Sequence, residues 1–292
     1  PRQPVQKMRG LLKIHKKLPL LVAIPTTAGT GSETTLAAVI TDAATHHKYP
    51  INDFSLIPRY AVLDYRVTTD LPKHITSTTG MDALTHAVEA YIGRSTTSHT
   101  RRMAEEAVGL IKTYLKRAYD DGTDTEAREQ MLRAAYCAGI AFTQSYVGYV
   151  HGVAHSLGGR YGVPHGLANA VILPYFLDRY GKSCEKRLAR LARACTVAPK
   201  DAEDHTAAQT FISWVREMNR SMNIPDKIDG IKEEDIPQMA AHADKESNPL
   251  YPVPCLMDVK ELASMYKLIS STETAFPKEN ERSGQQWKSA LS

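Results

Sequence analysis

Three histidines fall within fifteen residues, and they constrain this chain more than any other feature of its sequence. His151 and His155 are four residues apart, so on a helix they lie on one face. A run of glycines predicts the end of that helix: Gly158, Gly159 and Gly162. Pro164 precedes His165, so the third imidazole is expected on a loop or at the start of the next helix. Because imidazole is the commonest metal-binding side chain, the stretch predicts a metal site.

A second pair of possible ligands lies upstream, where Asp82 and His86 are also four residues apart. A carboxylate and an imidazole on one helical face, added to imidazoles from the later stretch, give oxygen and nitrogen donors. This donor set suits zinc or ferrous iron. A pair of this kind taken alone is more often an exposed pair, or a pair at the edge of the core, that binds no metal.

The two stretches, GMDALTHAVEAY and VHGVAHSLGGRYGVPHG, resemble the metal motifs of the iron-dependent (group III) alcohol dehydrogenases. That family is related to glycerol dehydrogenase and dehydroquinate synthase. The resemblance implies a bound Fe²⁺ ion, with Zn²⁺ as the alternative. It implies that the metal ligands are Asp82, His86, His151 and His165. It also implies that His155 lies near the nicotinamide, where it would relay a proton, position the ring or pack under the cofactor.

A loop of small residues, Thr26–Thr35, follows an apolar run at Leu18–Ile24 that predicts a buried strand. Such a loop exposes backbone N–H groups that suit a diphosphate. It lacks the lysine of a P-loop and the spacing of the dinucleotide fingerprint, so a tight turn without a ligand is an open alternative. The segment IPTTAGTGSETT resembles a cofactor-contacting loop of the same family. The resemblance implies cofactor contacts at Thr26, Thr27, Thr30 and, near the nicotinamide ribose, Lys48.

The order of these patterns predicts an α/β region followed by an all-α region. Residues 1–72 are expected to form a partial dinucleotide-binding α/β domain, with strands near 18–24 and 55–64. Helical periodicity then runs through 73–269, which is expected to be the metal-binding catalytic domain. The polar stretch 270–292 reads as a mobile tail. The resemblance implies a dehydroquinate synthase-like arrangement of the two parts.

Charge and composition indicate which partners and which cellular compartment are expected. The net charge of +4 is small and spread along the chain, so no nucleic-acid partner is expected. No apolar run approaches the length of a membrane span, so no membrane partner is expected either. The four cysteines are scattered without a C-x-x-C pair, which is typical of a reduced cytoplasmic protein.

The family resemblance begins at about Leu18, whereas members of that family carry a mononucleotide-binding half before the equivalent strand. That half would hold the adenine and most of the diphosphate. The 292-residue chain as printed is therefore expected to bind NAD(P)H poorly and to show little turnover. Strands that lack neighbours would expose apolar faces and sheet edges, so association into a homo-oligomer is also expected.

The function implied by the resemblance is reversible hydride transfer between a primary alcohol or aldehyde and NAD or NADP. Two alternatives stay open. The first is an inactive remnant that binds metal or serves as an interaction module. The second is a lyase of the dehydroquinate synthase type, which needs several basic residues around a phosphorylated substrate. Only Arg160 lies near the histidines in the sequence, so this alternative is disfavoured.

Overall fold

The structure is a computed structural model, and it describes residues 3–41 and 48–271. Short strands occupy its N-terminal part: β1 Gly10–Leu11, β2 Val22–Ala23, β3 Ala37–Thr41, β4 Lys48–Asn52 and β5 Tyr60–Ala61. β4 lies between β1 and β3, parallel to the first and antiparallel to the second. β2 and β5 form a separate parallel pair in which Val22 lies opposite Tyr60.

The strand predicted at 18–24 is shorter than expected, and its prediction as a buried strand was wrong. Only Val22 and Ala23 are in β-structure. Leu20 and Ile24 keep 68% and 55% of their surface exposed. Among the described strands β2 pairs with β5 alone, and a two-stranded pair buries little apolar surface. The exposed apolar faces expected for this region are therefore present.

Helices make up most of the rest of the described chain. They are α1 Lys73–Ile92, α2 Ser98–Asp120, α3 Thr125–Ser145, α4 Tyr149–Tyr161, α5 His165–Tyr180, α6 Glu185–Ala194, α7 Asp204–Ser221, α8 Ile236–Ser247 and α9 Val259–Ile269. None of the described helices is both long and apolar enough to cross a membrane. The tail predicted at 270–292 lies outside the described residues beyond Ser271.

Helix α1 is the centre of the helical part. It packs against α2, α3 and α5, and fifteen of its residues are buried. A helix that is apolar around most of its circumference is typical of such a position. Polar residues fix the ends of its neighbours. Thr97 and Thr100 form a capping box at the start of α2, and the Asp124 side chain accepts from the backbone N–H of Ala127 at the start of α3.

The ends of α4 and α5 place the later histidines. Helix α4 stops at Gly162, whose φ of +68° is in the left-handed region that glycine adopts without strain. Gly158 and Gly159, which the sequence analysis also placed at the helix end, lie inside α4, so that part of the prediction was wrong. His165 is the first residue of α5, as predicted.

Candidate metal centre

Four side chains from three helices converge on one point in the helical part. Asp82 and His86 lie one turn apart on α1, His151 lies in the first turn of α4, and His165 begins α5. One ligand atom from each lies within 4.8 Å of the others. These are the four residues that the sequence analysis named as ligands, and the structure brings all four together.

The distances between these atoms suit a divalent ion. The Oδ1 atom of Asp82 lies 3.5 Å from Nε2 of His165 and 3.9 Å from Nε2 of His151. Zinc binds nitrogen and oxygen at about 2.0–2.2 Å, so two ligands at tetrahedral angles are roughly 3.3–3.6 Å apart. The side chains therefore need to move little to hold such an ion.

Asn169, one turn after His165 on α5, contacts three of the four converging side chains. Its Nδ2 atom lies 2.6 Å from Oδ1 of Asp82 and 3.1 Å from Nε2 of both His151 and His165. The amide has two hydrogens for three acceptor atoms, while its own Oδ1 is buried without a hydrogen-bond partner among the described residues. A carboxylate oxygen and two imidazole nitrogens gathered around one electropositive group form the kind of donor set that binds a cation.

Glu89 fixes the orientation of the His151 ring through the ring's Nδ1 atom. The two side chains are 2.6 Å apart between Nδ1 and Oε2. Glu89 also accepts from the backbone N–H groups of Gly148 and Val150, each at 2.9 Å. A carboxylate at Nδ1 favours the tautomer that carries its proton there, which leaves the lone pair of Nε2 directed at the cluster. The sequence analysis missed Glu89, although it lies two turns after Asp82 on the same face of α1.

Burial sets the protonation of the cluster. It lowers the pKa of His86 to about 4 and holds the pKa of His151 well below 6.5. Both imidazoles are therefore neutral at pH 7, the form that binds metals. Burial also raises the pKa of Glu89 to about 7, against the opposing effect of the N–H groups that it accepts from. Those donors favour its carboxylate form.

The ring of His86 is held between two other rings. Its centroid lies 4.2 Å from that of Phe142 and 4.4 Å from that of His151, and both pairs are stacked. The cluster is closed on this side and open on another. The side chains of Asp82 and His151 are 2% and 3% exposed, whereas that of His165 is 38% exposed. A catalytic metal site needs such an open position for substrate.

His155 lies beside the cluster but is not one of the four converging side chains. Its ring stacks on that of His165, with centroids 5.1 Å apart. Its Nδ1 atom lies 2.6 Å from Oε1 of Glu246 on α8, which also accepts from the Tyr251 hydroxyl at 2.8 Å. Burial opposes the charged form of His155, but the hydrogen bond and the charge of Glu246 outweigh it and raise its pKa. The sequence analysis missed Glu246, which is 91 residues away.

The loop predicted to contact a cofactor packs against α1 close to the cluster. A Cβ atom on Gly29 would lie only 2.6 Å from the Thr79 carbonyl oxygen, three residues before Asp82. Thr26 and Thr30 are exposed on this loop, and Thr27 is half-buried. The side chain of Lys48 lies outside the described part of the structure, so its predicted role stays a prediction. Arg160, the basic residue nearest the histidines in sequence, is paired with Asp235 at 2.5 Å.

Two family models match the chain. The model described as "Fe-containing alcohol dehydrogenase family, C-terminal" matches residues 76–269, and the one described as "Iron-containing alcohol dehydrogenase" matches residues 3–65. The first match alone covers more than half of the chain and contains all four converging side chains.

Curated proteins and solved structures give the same result. An NAD-dependent methanol dehydrogenase of Bacillus methanolicus is 38% identical over 82% of this chain and 63% of its own length. An NADPH-dependent butanol dehydrogenase of Clostridium saccharobutylicum is 40% identical over 70% of this chain and 52% of its own length. A crystal structure of a 1,3-propanediol oxidoreductase superposes with a TM-score of 0.86 at 34% identity, over 91% of this chain and 70% of that one. The chain thus spans less than two thirds of these two curated relatives.

Proposed function

The chain belongs to the iron-containing alcohol dehydrogenase family, and we propose that it carries out hydride transfer between a primary alcohol or aldehyde and NAD(P). The observation that carries this proposal is the convergence of Asp82, His86, His151 and His165 within 4.8 Å, with an open side at His165. The methanol dehydrogenase is NAD-dependent and the butanol dehydrogenase is NADPH-dependent, so the proposal covers both cofactors.

We propose that these four side chains hold one Fe²⁺ or Zn²⁺ ion. When bound, the ion supplies Lewis-acid polarisation of the substrate oxygen, and the nicotinamide cofactor supplies or accepts the hydride. Asp82 brings a negative charge to the site, and Glu89 keeps the Nε2 lone pair of His151 available. The buried side of the cluster keeps water away from three of the four ligands, which strengthens every electrostatic interaction there.

His155 is proposed to serve the cofactor side of the site. Its exposed ring lies next to His165, where it can hold a proton or position a planar ligand. Glu246 fixes the ring through Nδ1 and so leaves Nε2 as the atom that faces other groups. The exposed Thr26 and Thr30 are proposed to contact the cofactor together with Thr27 and Lys48.

The cysteines and the exposed apolar side chains bear on the compartment and the oligomeric state that we propose. All four cysteines are free, which suits a reducing compartment such as the cytoplasm. The exposed apolar side chains of the N-terminal part, among them Leu20, Ile24 and Val39, favour association of the chain with further copies of itself.

The proposal is tested with protein loaded with Fe²⁺ or Zn²⁺ in the absence of oxygen. Metal content is measured by mass spectrometry, and oxidation of NADH or NADPH is followed with propanal or butanal. About one ion per chain together with aldehyde-dependent oxidation of the cofactor supports the assignment. One ion per chain without turnover, in a preparation that binds NAD(P)H, would instead favour the metal-binding remnant considered above.

A further inference from the structure

A second concave site lies away from the metal centre, at the end of α1 and the beginning of α6. A cavity of about 310 Å³ opens there to solvent. This volume is at the lower end of the range of about 300–1,000 Å³ that is typical of small-molecule sites. Its lining is dominated by cations: Arg94, Lys182, Lys186 and Arg187, with Ser183 and Pro254.

The four positive charges are not neutralised locally. Among residues 3–41 and 48–271, no carboxylate lies within ion-pair distance of any of them. The nearest acid in sequence, Glu185, is engaged with His205 at 2.9 Å instead. Like charges gathered around one concavity repel each other, and an anion in the cavity removes that repulsion.

Two of the four cations are held in place by backbone. Arg187 donates through Nη1 to the carbonyl oxygens of Ile92 and Gly93, at 2.7 and 2.6 Å. Arg94 donates through Nη2 to the carbonyl oxygen of Pro254 at 3.0 Å. Each guanidinium keeps further N–H groups for a ligand, since it carries five. A fixed guanidinium loses little conformational entropy when it binds an anion, whereas the two lysines can adjust to its shape.

The site is separate from the metal centre. Ile92 lies ten residues after Asp82 on α1, which corresponds to roughly 15 Å along the helix axis. Neither the four converging side chains nor His155 lines the cavity. Binding at one place therefore does not require the other to be occupied.

We propose that this cavity binds a small anion that carries more than one phosphate group. Arginine matches phosphate oxygens through paired N–H groups, and lysine adds point charges. Four cations are more than a single phosphate can balance, and a diphosphate carries more negative charge than one phosphate. The Ser183 hydroxyl adds a neutral hydrogen-bond donor at the same wall.

Inorganic pyrophosphate is the probe for the test, titrated calorimetrically into the 292-residue chain at low and at physiological salt. One site per chain with a dissociation constant below about 1 mM at low salt is expected, weakening as salt rises. Lys182→Ala and Lys186→Ala each remove one exposed cation that has no ion-pair partner among the described residues. Each should weaken binding about tenfold, the loss expected for one charge-assisted hydrogen bond.

Three controls separate this cavity from other anion sites. Lys260→Ala removes an exposed cation on α9 and should leave the affinity unchanged. His165→Ala should also leave it unchanged, because pyrophosphate at the metal centre would depend on that ligand. Orthophosphate should bind more weakly than pyrophosphate. The proposal is overturned if pyrophosphate does not bind, if both lysine variants bind like the unmodified chain, or if Lys260→Ala weakens binding as much as they do.

Discussion

The Nδ1 atom of His151 lies 2.6 Å from Oε2 of Glu89, and both side chains are almost fully buried. Glu89 is on the same helix as Asp82, so α1 supplies both a converging side chain and the group that orients another one. This contact makes the geometry at His151 depend on a residue that is not one of the four converging side chains. Removal of a partner of this kind typically costs about 10–100-fold in metal affinity.

Glu89→Gln should therefore weaken Zn²⁺ binding by about 10–100-fold while leaving all four ligands in place. Glutamine has one acceptor oxygen for the three N–H groups that Glu89 accepts from, so a loss of stability is expected as well. Competition with a chelator of known affinity measures the first effect, and urea unfolding measures the second. Glu129→Gln, an exposed change of the same kind on α3, is the matched control. Equal affinities in the two variants would contradict the role of Glu89.

Substitution of the proposed ligands themselves should weaken metal binding more than Glu89→Gln does. His151→Ala or His165→Ala should reduce the metal content from about one ion per chain to nearly none, because each removes one of four donors. His99→Ala removes an exposed histidine on α2 and should change nothing. Metal content is measured after loading and desalting. Full occupancy in both ligand variants would show that the ion is bound elsewhere.

His155 should behave differently from the ligands. In a version of the protein that binds NAD(P)H and turns over, His155→Ala should retain the metal and lower kcat for aldehyde reduction, since the ring stacks beside His165 without joining the four converging atoms. Glu246→Gln should lower kcat in the same direction but less, because glutamine can still hold the ring through Nδ1. Metal content and kcat are measured on the same preparations. A loss of metal in His155→Ala comparable to that in His151→Ala would place His155 among the ligands.

Much of the helical part was predictable from sequence, because its periodicity is local. Helical periodicity was predicted through 73–269, and the helices of this part begin with α1 at Lys73 and end with α9 at Ile269. The convergence of ligands was suggested by i,i+4 pairs and by the motif resemblance. Long-range contacts were not predictable: Glu246 reaches His155 across 91 residues. The prediction of a buried strand at 18–24 was wrong for a related reason. Burial of a strand depends on the elements that pack against it, and an apolar run does not reveal them.

The side chain of Glu33 provides a test of stability against pH. It is 3% exposed, and neither carboxylate oxygen has a hydrogen-bond partner among the described residues. Burial raises its pKa above the usual 4.5, and the residue's own backbone N–H opposes this more weakly. Above pH 4.5 the folded chain therefore holds a proton that the unfolded chain loses, so stability falls as pH rises until Glu33 ionises in the folded state as well.

Glu33→Gln cannot ionise and should escape this loss. As pH rises from 4.5 to 8, the free energy of unfolding of Glu33→Gln should therefore increase relative to that of the unmodified chain. Urea unfolding at several pH values, in the presence of a chelator, measures it. Glu129→Gln should show no such trend. A constant difference across this range would mean that Glu33 is ionised in the folded protein.

The position of His165 relative to α1 depends on Gly166. A Cβ atom at this position would lie 2.4 Å from the Thr78 carbonyl oxygen, a backbone atom that cannot rotate away. Gly166→Ala should therefore push the start of α5 away from α1 and increase the 3.5 Å separation between His165 and Asp82. Both a lower free energy of unfolding and a weaker metal affinity are expected, because the two helices carry opposite sides of the cluster.

Gly159→Ala, inside α4, is the matched control, since a Cβ atom there would have no atom of another described residue within 4 Å beyond its own helix backbone. Alanine is favoured over glycine in a helix interior by about 0.5–1 kcal/mol, so this variant should be slightly more stable and should bind metal normally. Urea unfolding without metal and chelator competition with metal separate the two effects. If Gly166→Ala is destabilised but binds Zn²⁺ as tightly as the unmodified chain, the separation of α5 from α1 does not set the metal affinity.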